Sequence, residues 1–303
     1  MKKIALSVAA LALTAGSALA ADLPSRKAPP MLPPPPPPPP MWTGFYVGLN
    51  AGGTWANSSN TNLVSAPVTF NTNVGGAQAA GIASAAAGSA FIPTGSQGGF
   101  IGGGQFGYNW QFYNSFVLGF EADIQGIAGT SGSNASVVGA APVPGIAPVT
   151  AVAVNTANAS LDYLGTARGR LGWLFTPTLL LYGTGGLAYG GVTSNVATAQ
   201  GFINQANVPG FFGGSNFSGT QVGWTAGGGV EWMFMPNWSA KVEYLYYDLG
   251  TVTQNFAYAT VGAGNTPMLG NVVQATHRFN GNVVRAGLNY HFNWASAPVV
   301  AKY

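Results

Sequence analysis

Two acidic residues, Glu121 and Asp123, stand two positions apart in a stretch of alternating apolar and polar residues. Residues at positions i and i+2 of a β-strand share one face, so the two carboxylates would meet the first need of acid–base catalysis. Catalysis also needs a nucleophile or a base. The only candidates that the sequence contains are His277, at a loop edge, and His291, on the last strand. We therefore predict that the chain is not an enzyme, and that neither imidazole holds a metal or cofactor.

The same alternation assigns the other charged residues to one face of their strands. We expect a polar network of ion pairs that fills the interior of a small barrel, because buried charges without partners are very costly. The alternative is a narrow pathway for water or small ions. The predicted network consists of Glu121, Asp123, Asp162, Arg168, Arg170, Glu231, Lys241, Glu243 and Arg285.

The elements that would position these side chains are eight runs of period two, which is the periodicity of a β-strand. They predict an all-β fold, an eight-stranded antiparallel transmembrane β-barrel. The runs are residues 42–55, 98–112, 116–127, 159–175, 178–193, 218–235, 238–253 and 279–294.

The connections between these runs alternate in length. Three are tight turns, at residues 113–115, 176–177 and 236–237, and the four between them are long and rich in Asn, Ser, Gly and Ala. Short periplasmic turns and long extracellular loops are typical of outer-membrane barrels. The long connections are 56–97, 128–158, 194–217 and 254–278.

Composition agrees with a lipid-facing exterior. Charged residues make up 6% and aromatic residues 12% of the chain, whereas about a quarter of the residues of a soluble domain are charged. The formal charge of +3 falls to +1 without Lys2 and Lys3, so nothing indicates nucleic-acid binding.

Aromatic residues near the short turns predict a periplasmic girdle. Its members are Trp42, Phe45, Trp110, Phe112, Phe116, Trp173, Phe175, Trp232, Phe234, Trp238, Phe292 and Trp294.

The N-terminus predicts export. Lys2 and Lys3 precede an apolar run that ends in a small-residue cleavage site between Ala20 and Ala21, so residues 1–20 read as a signal peptide. Residues 21–41 contain eight consecutive prolines and form an extended spacer. This spacer either has no partner or acts as a periplasmic arm that reaches peptidoglycan. Residues 42–294 are the predicted barrel, and 295–303 a C-terminal tail.

Three segments resemble one family. They are the opening Trp42-Thr43-Gly44-Phe45-Tyr46-Val47-Gly48, the stretch from Pro236 to Gly250, and the closing Val284-Arg285-Ala286-Gly287-Leu288-Asn289-Tyr290-His291-Phe292. They are similar to the alphaproteobacterial outer-membrane β-barrel (porin-like) family, which includes the Brucella major outer-membrane antigens and the Bartonella haemin-binding proteins. The resemblance implies an abundant eight-stranded barrel of the Gram-negative outer membrane.

The expected function is a contribution to envelope structure and surface properties. The alternatives are a narrow porin-like channel for small solutes and a surface protein that binds haemin or host ligands through its extracellular loops. Expected partners are outer-membrane lipids, lipopolysaccharide and the outer-membrane assembly machinery.

Overall fold

The computed structural model describes residues 42–57, 60–70, 76–94, 98–129, 134–205, 208–261 and 267–292. The predicted signal peptide, its cleavage site at Ala20 and Ala21, the spacer 21–41 and the tail 295–303 all lie outside these ranges. None of the helices in the described ranges has the length and hydrophobicity to cross a membrane.

The described chain is almost entirely β-structure, with eleven strands and one helix. The first six strands are β1 Gly44–Ala56, β2 Asn60–Thr69, β3 Phe91–Pro93, β4 Gly99–Phe112, β5 Phe116–Ala128 and β6 Ala135–Pro142. The others are β7 Thr150–Thr176, β8 Leu179–Ile203, β9 Phe211–Met235, β10 Trp238–Val261 and β11 Pro267–Phe292. Helix α1, Gly76–Gly88, lies between β2 and β3.

Eight strands close into an antiparallel ring in the order β1-β4-β5-β7-β8-β9-β10-β11, with β11 pairing back to β1. These are the eight strands that the alternation predicts, and their turns at 113–115, 177–178 and 236–237 all lie at one end. We call this closed part the membrane ring. It consists of residues 44–56, 99–112, 116–128, 163–176, 179–191, 224–235, 238–248 and 280–292.

Five ring strands continue past the ring, over segments that the prediction assigned mostly to the long loops 128–158, 194–217 and 254–278. We call this part the extension: residues 150–161, 192–203, 211–223, 249–261 and 267–279, together with β2, β3, β6 and α1. In the described residues, pairing of β9 with β10 stops at Trp224 and Asp248. The extension therefore consists of two four-stranded sheets, β6-β7-β8-β9 and β10-β11-β2-β3.

A bulge in β10 marks the place where the two sheets separate. The register of β10 against β11 shifts between Asp248 and Thr251, and Gly250 there has a φ of +83°. The Gly250 N–H donates to Asp248 Oδ1 at 2.9 Å. A left-handed residue at a bulge bends the strand, and glycine adopts this conformation without the steric cost of a Cβ.

Helix α1 fills the extension. It is rich in alanine, carries no charge, and buries Ile82 and Ala85 completely against β6 and β7. Contact with β6 is so close that a Cβ at Gly139 would lie 1.9 Å from the Ala85 carbonyl oxygen. Asn155 Nδ2 on β7 donates to the Ser89 carbonyl at 3.0 Å, which holds the end of the helix. Only one face of α1 is buried, since Ala80, Ser84 and Ala87 on the opposite face are exposed.

Candidate functional site

The interior of the membrane ring is filled in three layers. Nearest the short turns lies an apolar cluster that includes Trp42, Val117 and Met233. At the opposite end of the ring, away from the short turns, lies a second apolar cluster that includes Leu164, Leu245 and Phe279. Between them, eight charged side chains meet, each at most 2% exposed except Asp123 at 4%. We call this set the ionic cluster: Glu121, Asp123, Arg168, Arg170, Glu231, Lys241, Glu243 and Arg285.

Arg168 is the centre of the ionic cluster. Its Nη2 donates to Glu121 Oε1 at 2.5 Å and to Asp123 Oδ2 at 2.9 Å, and its Nη1 donates to Glu243 Oε1 at 2.8 Å. One guanidinium thus bridges three carboxylates from two strands, β5 and β10. The planar, forked donors of arginine allow this, whereas lysine offers a single point charge.

The other cations complete the pairing. Arg285 Nη2 donates to Asp123 Oδ2 at 2.8 Å and to Glu243 Oε2 at 2.6 Å. Lys241 Nζ donates to both oxygens of Glu121, at 2.7 and 2.8 Å.

Arg170 lies one layer closer to the turns. Its Nη2 donates to Glu231 Oε2 at 2.6 Å, and its guanidinium stacks 4.0 Å from the centre of the Tyr182 ring. The cluster therefore opposes four cations to four carboxylates, which is the arrangement that a buried set of charges requires.

Asp162 does not belong to this cluster, and its predicted place in the lumen is wrong. The register of β7 against β8 shifts between Leu161 and Tyr163, so Asp162 occupies a bulge and is exposed. Along the chain, the inward positions are Ala159 and Leu161 before the bulge and Leu164 and Thr166 after it. The prediction assumed an unbroken alternation, which a one-residue bulge reverses.

The cluster also has uncharged partners that the predicted network did not include. Tyr46 OH donates to Glu121 Oε2 at 2.7 Å, and Tyr182 OH donates to Glu243 Oε1 at 3.1 Å. Gln125 Nε2 donates to Asp123 Oδ1 at 2.8 Å. All three occupy inward positions on ring strands, so the alternation that assigned the charges would also have found them.

The two histidines are both buried. His291 Nε2 lies 2.8 Å from Ser239 Oγ, which in turn donates to Glu231 Oε1 at 2.5 Å. This differs from a hydrolase triad, in which the carboxylate orients the imidazole through its other ring nitrogen. Trp42 and Tyr46 enclose the His291 ring at centroid distances of 5.8 and 5.4 Å.

His277 lies within β11 and not at a loop edge. Its Nδ1 is 3.0 Å from Thr61 Oγ1, its ring packs on Phe279, and it is 3% exposed. Burial lowers the pKa of the His277 imidazole to about 4. Neither histidine therefore presents an imidazole to an external ligand. In the described ranges, no group of three or more His, Asp or Glu side chains is arranged to hold a metal ion.

The predicted aromatic girdle surrounds the turn end of the ring, with one correction. Trp110, Phe175 and Trp232 are each more than half exposed on its outer surface. Trp42, in contrast, is fully buried inside the ring, where its Nε1 donates to the Pro177 carbonyl at 3.0 Å. It closes the lumen and does not face lipid. Trp294 lies outside the described residues.

Comparison with known proteins identifies the chain's relatives. Residues 7–292 match the family model of the outer membrane protein β-barrel domain. The 31 kDa outer-membrane immunogenic protein of Brucella melitensis biotype 1 is 34% identical over 294 residues, covering 96% of this chain and all of that protein. The 22 kDa outer membrane protein of Rhizobium leguminosarum bv. viciae is 32% identical over 48% of this chain and 52% of its own length.

A search of solved structures gives more distant similarity. The outer membrane protein OprG of Pseudomonas aeruginosa matches 82% of this chain and 97% of its own, with 9% identity and a TM-score of 0.35. The family match and the near full-length Brucella relative decide the assignment. The chain is a protein of the Gram-negative outer membrane and belongs to the outer membrane protein β-barrel family.

Proposed function

We propose that the membrane ring is an eight-stranded transmembrane barrel with a closed lumen, and that the protein contributes to envelope structure and surface properties without being an enzyme. The observation that carries this proposal is the ionic cluster. Four cations and four carboxylates occupy the middle of the ring at hydrogen-bonding distance, and apolar layers lie on both sides of them. Such an interior leaves little space for water or ions to pass.

The exterior supports the membrane assignment of the ring. Outward positions of the ring strands carry large apolar side chains, with Leu49, Phe106 and Val242 each more than half exposed. Strands of about 10 residues are long enough to cross a bilayer when tilted. Charges at those positions would cost about 2–4 kcal/mol at the bilayer midplane, so their confinement to the interior matches a lipid-facing wall.

The test of a closed lumen is conductance. We expect the full-length protein, inserted in planar bilayers, to give no discrete current steps, and liposomes that carry it to remain impermeable to small sugars. A general porin inserted in parallel serves as the positive control. Discrete steps from this protein would instead support the narrow-channel alternative.

The test of a closed, stable barrel is heat-modifiability. Unheated protein from the outer-membrane fraction should migrate faster on a gel than boiled protein. Equal migration would contradict the proposal and would not depend on whether the lumen conducts.

A surface role is supported by the extension, which places about half of the described chain beyond the ring, and by the Brucella relative, which is described as immunogenic. We expect antibodies raised against folded protein to label intact cells, and labelling to fall when residues 134–161 are shaved by an external protease. Labelling only of permeabilised cells would place the extension on the periplasmic side.

A further inference from the structure

The outward face of the sheet β10-β11-β2-β3 carries a concave site immediately above the membrane ring. The cavity measures about 550 Å³. Its polar lining consists of the side chains of Asn57, Asn60, Asn62, Thr251 and Thr276, which come from four different parts of the chain. The antiparallel register places Asn62 opposite Thr276 and Thr251 opposite Arg278, and the two pairs are neighbours because Thr276 and Arg278 lie two residues apart on the same face of β11.

The chemistry of this lining is uncharged hydrogen bonding. Each asparagine amide both donates and accepts, and each threonine hydroxyl does the same. Asn282 Nδ2 donates to Asn57 Oδ1 at 2.6 Å, which fixes the orientation of that amide at the floor of the site. A ligand that fits must therefore offer many donors and acceptors of its own, as a polyhydroxylated molecule does.

The single cation in the lining is already neutralised. Arg278 forms an ion pair with Asp248, whose carboxylate is buried, through Nη2 and Oδ2. Apart from the ionic cluster, the described ranges contain only three Asp, Glu, Lys or Arg residues, namely Asp162, Asp248 and Arg278. The outer surface therefore offers little electrostatic attraction to phosphate, sulfate or another strongly charged group.

An exposed aromatic ring completes the site. Phe91, on the short edge strand β3, pairs with Asn62 and is 68% exposed. An exposed phenyl ring beside a row of amides and hydroxyls provides a flat apolar surface next to hydrogen-bonding groups. Sugars have the complementary form, with a C–H face and a rim of hydroxyls.

We propose that this site binds an uncharged saccharide, with a sugar ring packed on Phe91 and its hydroxyls bonded to the asparagine and threonine side chains. Two sources share this chemistry. One is the sugar portion of lipopolysaccharide in the surrounding outer leaflet, which lies at the height of the site. The other is a soluble or foreign glycan that approaches from outside.

The experiment is saturation-transfer NMR on the full-length protein, folded in a detergent without a sugar headgroup. The two probes are the delipidated and dephosphorylated heptose–hexose part of a lipopolysaccharide core oligosaccharide, which carries no charge, and maltohexaose, each at millimolar concentration. We expect transfer from the protein to sugar C–H protons, little changed by added salt. The matched variants are Phe91→Ala in the site and Phe212→Ala, which removes an even more exposed phenylalanine from the other sheet.

Phe91→Ala should weaken binding by roughly threefold to tenfold, as expected for the loss of one aromatic contact, and Phe212→Ala should leave it unchanged. Asn62→Ala should weaken it as well, and protease resistance of residues 76–94 equal to that of the original protein shows that the extension of each variant is folded. Binding of the core oligosaccharide alone assigns the membrane's own lipid as the source, and binding of maltohexaose assigns a soluble glycan. Absence of transfer from both probes, or transfer that Phe91→Ala does not reduce, would overturn the proposal.

Discussion

The eight side chains of the ionic cluster lie inside the membrane ring, whereas the inward side chains of the extension are mainly apolar and include no Asp, Glu, Lys or Arg among the described residues. On the single strand β7 the inward residues of the extension include Ala151, Ala153 and Ala157, and those of the ring include Arg168 and Arg170. The solvent outside explains the change. Lipid requires an apolar exterior, which leaves the interior for polar groups, while water permits the apolar core of a soluble β-sandwich. One strand thus inverts its amphipathic pattern, and the Asp162 bulge lies at the changeover.

The largest effect should follow from breaking the ionic cluster. Arg168→Ala leaves Glu121, Asp123 and Glu243 without one of the two arginines that pair with all three, and removal of one member of a buried ion pair costs about 3–5 kcal/mol. We expect a clearly lower urea midpoint for loss of the heat-modifiable form. The control is Arg278→Lys, which keeps a cation beside Asp248 at a position that is 56% exposed and should change the midpoint little. Equal midpoints for the two variants would contradict the central role of Arg168.

The core of the extension should unfold independently of the ring. Ile82→Ala removes a fully buried side chain from α1 and should cost about 2–5 kcal/mol locally. We expect faster proteolysis near residues 76–94, while heat-modifiability of the ring is retained. Ala79→Ser on the same helix, at a half-buried position, is the milder control. Loss of heat-modifiability in Ile82→Ala would show that the two regions fold as one unit.

Acid should loosen the extension through His277. Its pKa of about 4 in the folded protein lies below the ordinary value of 6.5, so the unfolded state binds more protons between these pH values. The contribution of neutral His277 to the free energy of unfolding of the β2–β11 contact is therefore fully present above pH 6.5. It falls as the pH drops towards 4, by at most about 1.4 kcal/mol per pH unit. The protection factors of the β2 amides, which correct for the intrinsic pH dependence of exchange, should fall over this window, and His277→Gln should remove this fall. Unchanged protection factors from pH 7 to 4 in the original protein would refute the prediction.

The smallest effect should come from Asp162. Because its side chain is exposed at the bulge, Asp162→Asn should change stability by no more than about 0.5 kcal/mol. Asp123→Asn is the matched variant, since Asp123 accepts from Arg168 and Arg285 and should be far more sensitive. Similar urea midpoints for both variants would indicate that the Asp162 side chain lies in the lumen after all.

The sequence predicts the ring much better than the extension. In the ring, large apolar residues such as Leu288 and Phe120 alternate with charged residues or glycine. This contrast identifies the strands, and eight of the nine charged residues that it predicts for the interior lie there. In the extension the inward residues are small, as at Ala151 and Ala153, and the outward residues are polar but uncharged, so the contrast is weak. The alanine-rich composition of residues 76–88 is a helix signal that could have been used. A bulge such as that at Asp162 leaves no mark in a hydrophobicity pattern.

The seam between β1 and β11 joins Phe45 to Phe292, nearly the full length of the described chain. This contact has the greatest sequence separation of any strand pairing in the ring, and contacts of that kind form slowly because a long loop must close first. Synthesis must therefore reach the last strand before the first can be paired on both sides. Until then β1 and β11 present unpaired edges, and a chain truncated within β11 should be retained as an open, aggregation-prone sheet.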